Sequence, residues 1–153
     1  MLSPGDSFSE AYPAVAESVP RARAAVTAFA EEAGAPEERL QSIRLAASEA
    51  VTNAVLHAYD GPGSIQISLA YVDGGLWVLI ADSGSGLRPR TNSRGLGLGL
   101  ALIAQLADDF QIHSRGSGGT ELQMRFKLDS PRRPRSNSRF QRRGSFSTAV
   151  SPA

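Results

Sequence analysis

The 153-residue chain contains no cysteine, which excludes disulfides and thiolate metal sites. With only His57 and His113 as imidazoles, a zinc site has no support either. The longest uninterrupted apolar run, Leu76 to Ala81, is far below the ~20 residues that span a bilayer. The opening residues, MLSPGDSFSE, hold no basic segment followed by an apolar one. These absences lead us to expect a cytoplasmic protein without a membrane partner. No internal repeat of solenoid length is present.

What is there divides unevenly. The net charge is +1, yet residues 129–153 hold six arginines and one acid, a balance of +5 that leaves −4 for residues 1–128. This C-terminal stretch is rich in Ser, Pro and Arg and lacks apolar periodicity, the composition of a disordered tail. Scattered arginines of this kind more often form a solvated extension than a nucleic-acid surface, so no direct nucleic-acid contact is expected. Residues 1–128 suffice for one domain with a sizeable core.

The centre of that domain is Arg44 to Tyr59, RLAASEAVTNAVLHAY. Leu45, Ala46, Ala50, Val51, Ala54, Val55 and Ala58 recur at helical spacing without Gly or Pro. Glu49, Asn53 and His57 follow one another at four-residue intervals, which puts three polar side chains on one stripe of an apolar helix. Pro36-Glu37-Glu38 opens this helix and Asp60-Gly61-Pro62-Gly63 closes it. Before it, Ser7 to Ala14 reads as an edge strand, and a helix with Pro20 at a first helical position stops at Gly34. After it, alternating Ile65, Ile67, Leu69 and Tyr71, the turn Asp73-Gly74-Gly75 and the run Leu76 to Ile80 predict an antiparallel pair. A helix is expected over Leu98 to Ala107. Phe110 to Ser114 and Leu122 to Leu128 form a second hairpin across Gly116 to Gly119. The sum is an α+β two-layer sandwich with helices on one sheet face.

Two glycine motifs carry further chemistry. Asp82 leaves the buried strand into D-S-G-S-G, where a carboxylate can accept from an amino group and Gly84 and Gly86 let a flat ligand approach the backbone. An Asx turn explains the same pattern. Gly95-Leu96-Gly97-Leu98-Gly99-Leu100 places alternating glycines just before a helix, where backbone N–H groups and the helix dipole can hold phosphates; a hinge is the other reading. No G-K-[ST] follows and no parallel βαβ unit surrounds the repeat, so neither the Walker loop nor the Rossmann fingerprint fits.

The ordered set, E-A-V-T-N-A-V-L-H-A-Y at 49–59, D-S-G-S-G at 82–86, G-L-G-L-G-L at 95–100 and G-T at 119–120, resembles the Bergerat (GHKL) ATP-binding fold. Within that superfamily it is most similar to the small bacterial anti-sigma-factor serine/threonine kinases. The resemblance covers roughly residues 8–128 and implies a mixed, mostly antiparallel sheet. It makes residues 1–128 a histidine-kinase-like ATP-binding domain, with 129–153 as an added basic tail. It implies ATP and Mg²⁺ as cofactors, with Asn53 giving its side-chain oxygen to the metal and Glu49 acting as general base. It further implies that Asp82, supported by Thr120, binds the adenine amine, and that Gly84, Gly86, Gly95, Leu96, Gly97, Leu98 and Gly99 shape the pocket and its lid. His57 is counted with the nucleotide site, although a lone helical histidine also serves as a structural hydrogen-bonder. Arg94 adjoins the glycine repeat and, with Arg88 and Arg90, either neutralises phosphate or faces solvent.

The partners implied are a sigma factor and a STAS-domain antagonist that accepts the phosphoryl group, with a homodimer as the implied assembly. The competing reading is a module that binds ATP and sequesters a regulator without transfer. Glu49 favours the kinase, because a pure binding pocket needs Asn53 and Asp82 but no base.

Overall fold

The computed structural model describes residues 1–57, 63–82, 96–115 and 118–128, with the side chains of 57 and 96–98 outside that description. The elements follow in the order β1 (Ser7–Pro13), α1 (Ser18–Glu32), α2 (Glu37–His57), β2 (Ser64–Val72), β3 (Gly75–Asp82), α3 (Leu96–Leu106), β4 (Asp109–Ser114) and β5 (Thr120–Lys127). They build one sheet of order β1-β2-β3-β5-β4. All four of its pairings are antiparallel. The α+β two-layer architecture is the expected one, but the parallel pairing of a mixed sheet does not occur among the described residues. The reason lies in the β4–β5 hairpin, which sends β5 back into the sheet antiparallel to both β4 and β3.

Alternation decides which sheet face is covered. Ile65, Ile67 and Leu69 of β2, Leu76, Val78 and Ile80 of β3, and Leu122, Met124 and Phe126 of β5 are buried on one face. There they meet Val26 and Phe29 of α1, Ile43 and Val51 of α2, and Ile103 of α3 in a single core. Ala46, Ala47 and Ala50 are also buried; their small side chains let α2 lie close over the strands. The opposite face is more open, with Gln66 exposed and Ser68, Trp77, Leu79, Gln123 and Arg125 half-buried. On it the Arg125 guanidinium lies 5.3 Å from the Trp77 ring centroid and 3.6 Å from Asp109.

Local chemistry sets the element ends. At the end of α1, Ala35 N–H donates to the Ala30 carbonyl and Gly34 N–H to Glu31, while Gly34 sits at φ 87°. This is a Schellman motif with glycine at its left-handed position. Asp73 and Gly74, at φ 49° and 68°, form the two-residue turn between β2 and β3. The expected edge strand, first helix and central helix all appear. Pro20 is the third residue of α1, not the first, which a helix tolerates because N–H groups in the first turn have no intrahelical partner. The expected closing residues 60–62 of the central helix lie outside the described residues. The last helix begins at Leu96, two residues earlier than its apolar spacing indicates, so Gly97 joins Gly99 in its first turn instead of lying in a preceding loop.

Candidate functional site

Chain connectivity gathers the candidate residues at one end of the sheet. α2 ends at His57 and β2 starts at Ser64, so the C-terminal turns of α2 lie near the start of β2. There Ile65 pairs with Asp82, the last residue of β3. Ala81 pairs with Glu121, so Asp82 and Thr120 are the next facing positions on adjoining strands, both on the helix-covered side. Asp82 is 8% exposed and Thr120 4%, unusual burial for a carboxylate and a hydroxyl, and both make polar or electrostatic interactions there.

The second half of the site is the polar stripe of α2. Ala46, Ala47, Ala50 and Val51 point to the sheet, which turns Glu49 and Asn53 toward α3, where both are half-buried. Gly99 closes the approach. A β-carbon at that position would stand 3.2 Å from Asn53 Nδ2, 3.2 Å from Glu49 Oε2 and 3.4 Å from Asn53 Oδ1. One point in the first turn of α3 is therefore in contact with both the carboxylate and the carboxamide. Asn53 Nδ2 is shut off from solvent and has no hydrogen-bond partner among the described residues. An unpartnered buried amide is costly and rare, and a site prepared for a ligand is where such a cost is kept.

Magnesium and nucleotide phosphates fit this donor set. A hard cation takes oxygen ligands, keeps several waters and needs few protein groups beside phosphates; an amide oxygen next to a carboxylate suits it. The atom without a partner among the described residues is the Nδ2 donor, which suits a phosphate oxygen, while a cation would take Oδ1 of the same carboxamide.

Of the candidates named from the sequence, Glu49, Asn53 and Gly99 come together, and Asp82 and Thr120 come together at adjoining strand ends. Leu96, Gly97 and Leu98 lie in the first turn of α3, with their side chains not described, and His57 ends α2 in the same condition. Gly84, Gly86, Arg88, Arg90, Arg94 and Gly95 lie outside the described residues. Sequence spacing missed the contact between Gly99 and the α2 stripe, because the two segments are distant in the chain.

Comparison with known proteins gives a consistent picture. Residues 12–126 match the family model described as "Histidine kinase-like ATPase domain". The chain is 28% identical over 119 residues to an anti-sigma F factor of Clostridium acetobutylicum, covering 70% of this chain and 83% of that protein. It is 28% identical over 130 residues to the serine-protein kinase RsbW of Listeria monocytogenes, covering 74% and 83%. Among solved structures, that of the RsbU and RsbW domains of Rv1364c from Mycobacterium tuberculosis superposes with a TM-score of 0.67 at 26% identity. The match covers 84% of this chain and 34% of that longer one. The mycobacterial sensor histidine kinase MprB shares the fold, with a TM-score of 0.50 at 16% identity over 76% of this chain and 97% of that one.

Proposed function

Because the chain belongs to the histidine kinase-like ATPase family, we propose that it is an anti-sigma factor that uses Mg-ATP to phosphorylate a serine or threonine of a STAS-type antagonist. The observation that carries this reading is the convergence of the Glu49 carboxylate and the Asn53 carboxamide against the first turn of α3. The relatives named anti-sigma F factor and serine-protein kinase RsbW support both halves of it, the holding of a sigma factor and the kinase activity.

Each residue has a stated task in the reaction. Asp82 accepts a hydrogen bond from the exocyclic amine of adenine, which separates ATP from GTP, and Thr120 supports that contact. Asn53 presents its side-chain oxygen to the metal at the phosphates. Magnesium, when bound, neutralises charge on the transferred group. Glu49 accepts the proton of the attacking hydroxyl as its oxygen bonds to the γ-phosphorus, the bond to the β–γ bridging oxygen breaks and ADP departs. The glycines at 84, 86, 95, 97 and 99 are assigned to the phosphates and adenine, with Arg94 and His57 as further residues of the nucleotide site. The protein works in the cytoplasm as a homodimer that releases its sigma factor when the antagonist takes its place. The basic stretch 129–153 has no part in the transfer.

The test is transfer of label from γ-labelled ATP with Mg²⁺ to each STAS-domain protein of the source organism, wild type against Glu49→Gln. Label on one serine or threonine of one partner, reduced by ~10²-fold or more in the variant, is the expected result for a positioned base. Full transfer by Glu49→Gln places the base elsewhere. ATP binding without labelling of any partner makes the protein a holding module instead.

A further inference from the structure

Alanine is ordinarily the better residue inside a helix, so a buried helical glycine calls for a reason. Gly99 is buried in α3, and its φ lies outside the left-handed region, so conformational freedom is not what the position uses. Its reason is space. The atom that alanine would add stands 3.2 Å from Glu49 Oε2 and from Asn53 Nδ2. Both distances are inside ordinary contact separation, so one or both side chains would have to give way. Both are the ends of half-buried side chains, so the contact is relieved only by moving the carboxylate or the carboxamide a few tenths of an ångström from its present position. A phosphate-cradling role predicts something different, because it uses only the backbone N–H, which alanine keeps.

We infer that Gly99 is a positioning residue: the absence of a side chain there lets α3 sit against α2 so that the Glu49 carboxylate and the Asn53 carboxamide keep one mutual arrangement. The inference rests on the reading of Glu49 as base and Asn53 as metal ligand. It changes the task of this glycine from lining phosphates to setting the distance between the helix that carries the chemistry and the helix that closes on it.

The experiment is Gly99→Ala in the full chain, with three readouts: melting without ligand, ATP affinity in Mg²⁺ and in EDTA, and transfer rate at saturating ATP. Displacement of two functional groups by a few tenths of an ångström predicts roughly a 10-fold or greater loss of transfer at saturation. ATP affinity should fall more in Mg²⁺ than in EDTA, because the metal contact through Asn53 is the one disturbed. A purely structural role moves the melting temperature but not the difference between Mg²⁺ and EDTA. Unchanged transfer and an unchanged Mg²⁺ dependence overturn the inference. If the wild type labels no partner, the kinase reading fails, yet the Mg²⁺ dependence of ATP binding still decides the positioning role. Should Gly99→Ala not fold, the double variant Glu49→Ala with Gly99→Ala is measured, since removing the carboxylate opens half of the contact. It should fold and bind Mg-ATP as Glu49→Ala alone does; failure to recover overturns the inference.

Discussion

Replacing Asn53 with alanine should separate stability from function in a single substitution. Asn53 Nδ2 is enclosed without a partner among the described residues, and such a group costs about 1–3 kcal/mol. Alanine removes that cost and is the better helix former by roughly 0.6 kcal/mol. Asn53 is half-buried, so the packing given up is about one methylene's worth, ~0.8 kcal/mol. The balance favours the variant by roughly 1–3 kcal/mol, a rise of about 3–12 °C in Tm for a domain of this size. With Mg-ATP the order should reverse. Ligand at a hundred times its Kd stabilises the wild type by about 2.7 kcal/mol, and the variant loses the metal-dependent share of that gain. The assay is differential scanning calorimetry of the full chain in EDTA and in saturating Mg-ATP. Expected is a crossing: the variant melts higher without ligand and lower with it. A variant that melts lower in EDTA as well would refute the reasoning, because Asn53 would then hold the fold together instead of waiting for a ligand.

Glu49→Gln should bind Mg-ATP with the wild-type affinity and lose transfer by ~10²-fold or more, as titration and labelling together would show. Gly34→Ala meets no atom within 4 Å, yet its φ of 87° is left-handed, so the loss should be about 1–2 kcal/mol in urea unfolding and Gly34→Asn should recover part of it. Tyr12 gives a pH test. Burial first, then the hydrogen bond to Glu10 and that carboxylate's charge, push its phenol up from 10.0 to about 12. The folded state keeps a proton that the unfolded chain releases above pH 10, so this stabilisation is complete below pH 10 and lost as pH climbs to about 12. Unfolding free energies at pH 9 and pH 11.5 should fall more steeply for wild type than for Tyr12→Phe; parallel declines would contradict the assignment.

The fold was legible where a single element states its own pattern. Period-two alternation marked β2 and β5, and Asp73-Gly74 marked the turn after β2, because these signals depend on residues adjacent in sequence. The apolar run of β3 disclosed a strand buried on both faces only in part: Leu76, Val78 and Ile80 are enclosed, while Trp77 and Leu79 stay half-buried on the more open face. The start of α3 was misjudged for a physical reason. Glycines lower helix propensity, so Gly97 reads as loop, but a first turn makes few intrahelical bonds and α3 is held there by packing on α2.

The candidate site divides along the same line. Glu49 and Asn53 share a stripe by spacing alone, a fact of helix geometry that a separation of four residues suffices to state. What makes them more than an exposed polar edge is the element opposite, and no local pattern says that a glycine 46 residues beyond Asn53 comes to rest against both. Had position 99 carried any side chain, the same stripe would be met by a bulkier helix face, and the carboxylate and carboxamide would have to part to admit it. The sequence shows which groups are present on α2, and the tertiary contact fixes the distance at which they act. That distance is what Gly99→Ala should change while Glu49 and Asn53 themselves stay unsubstituted.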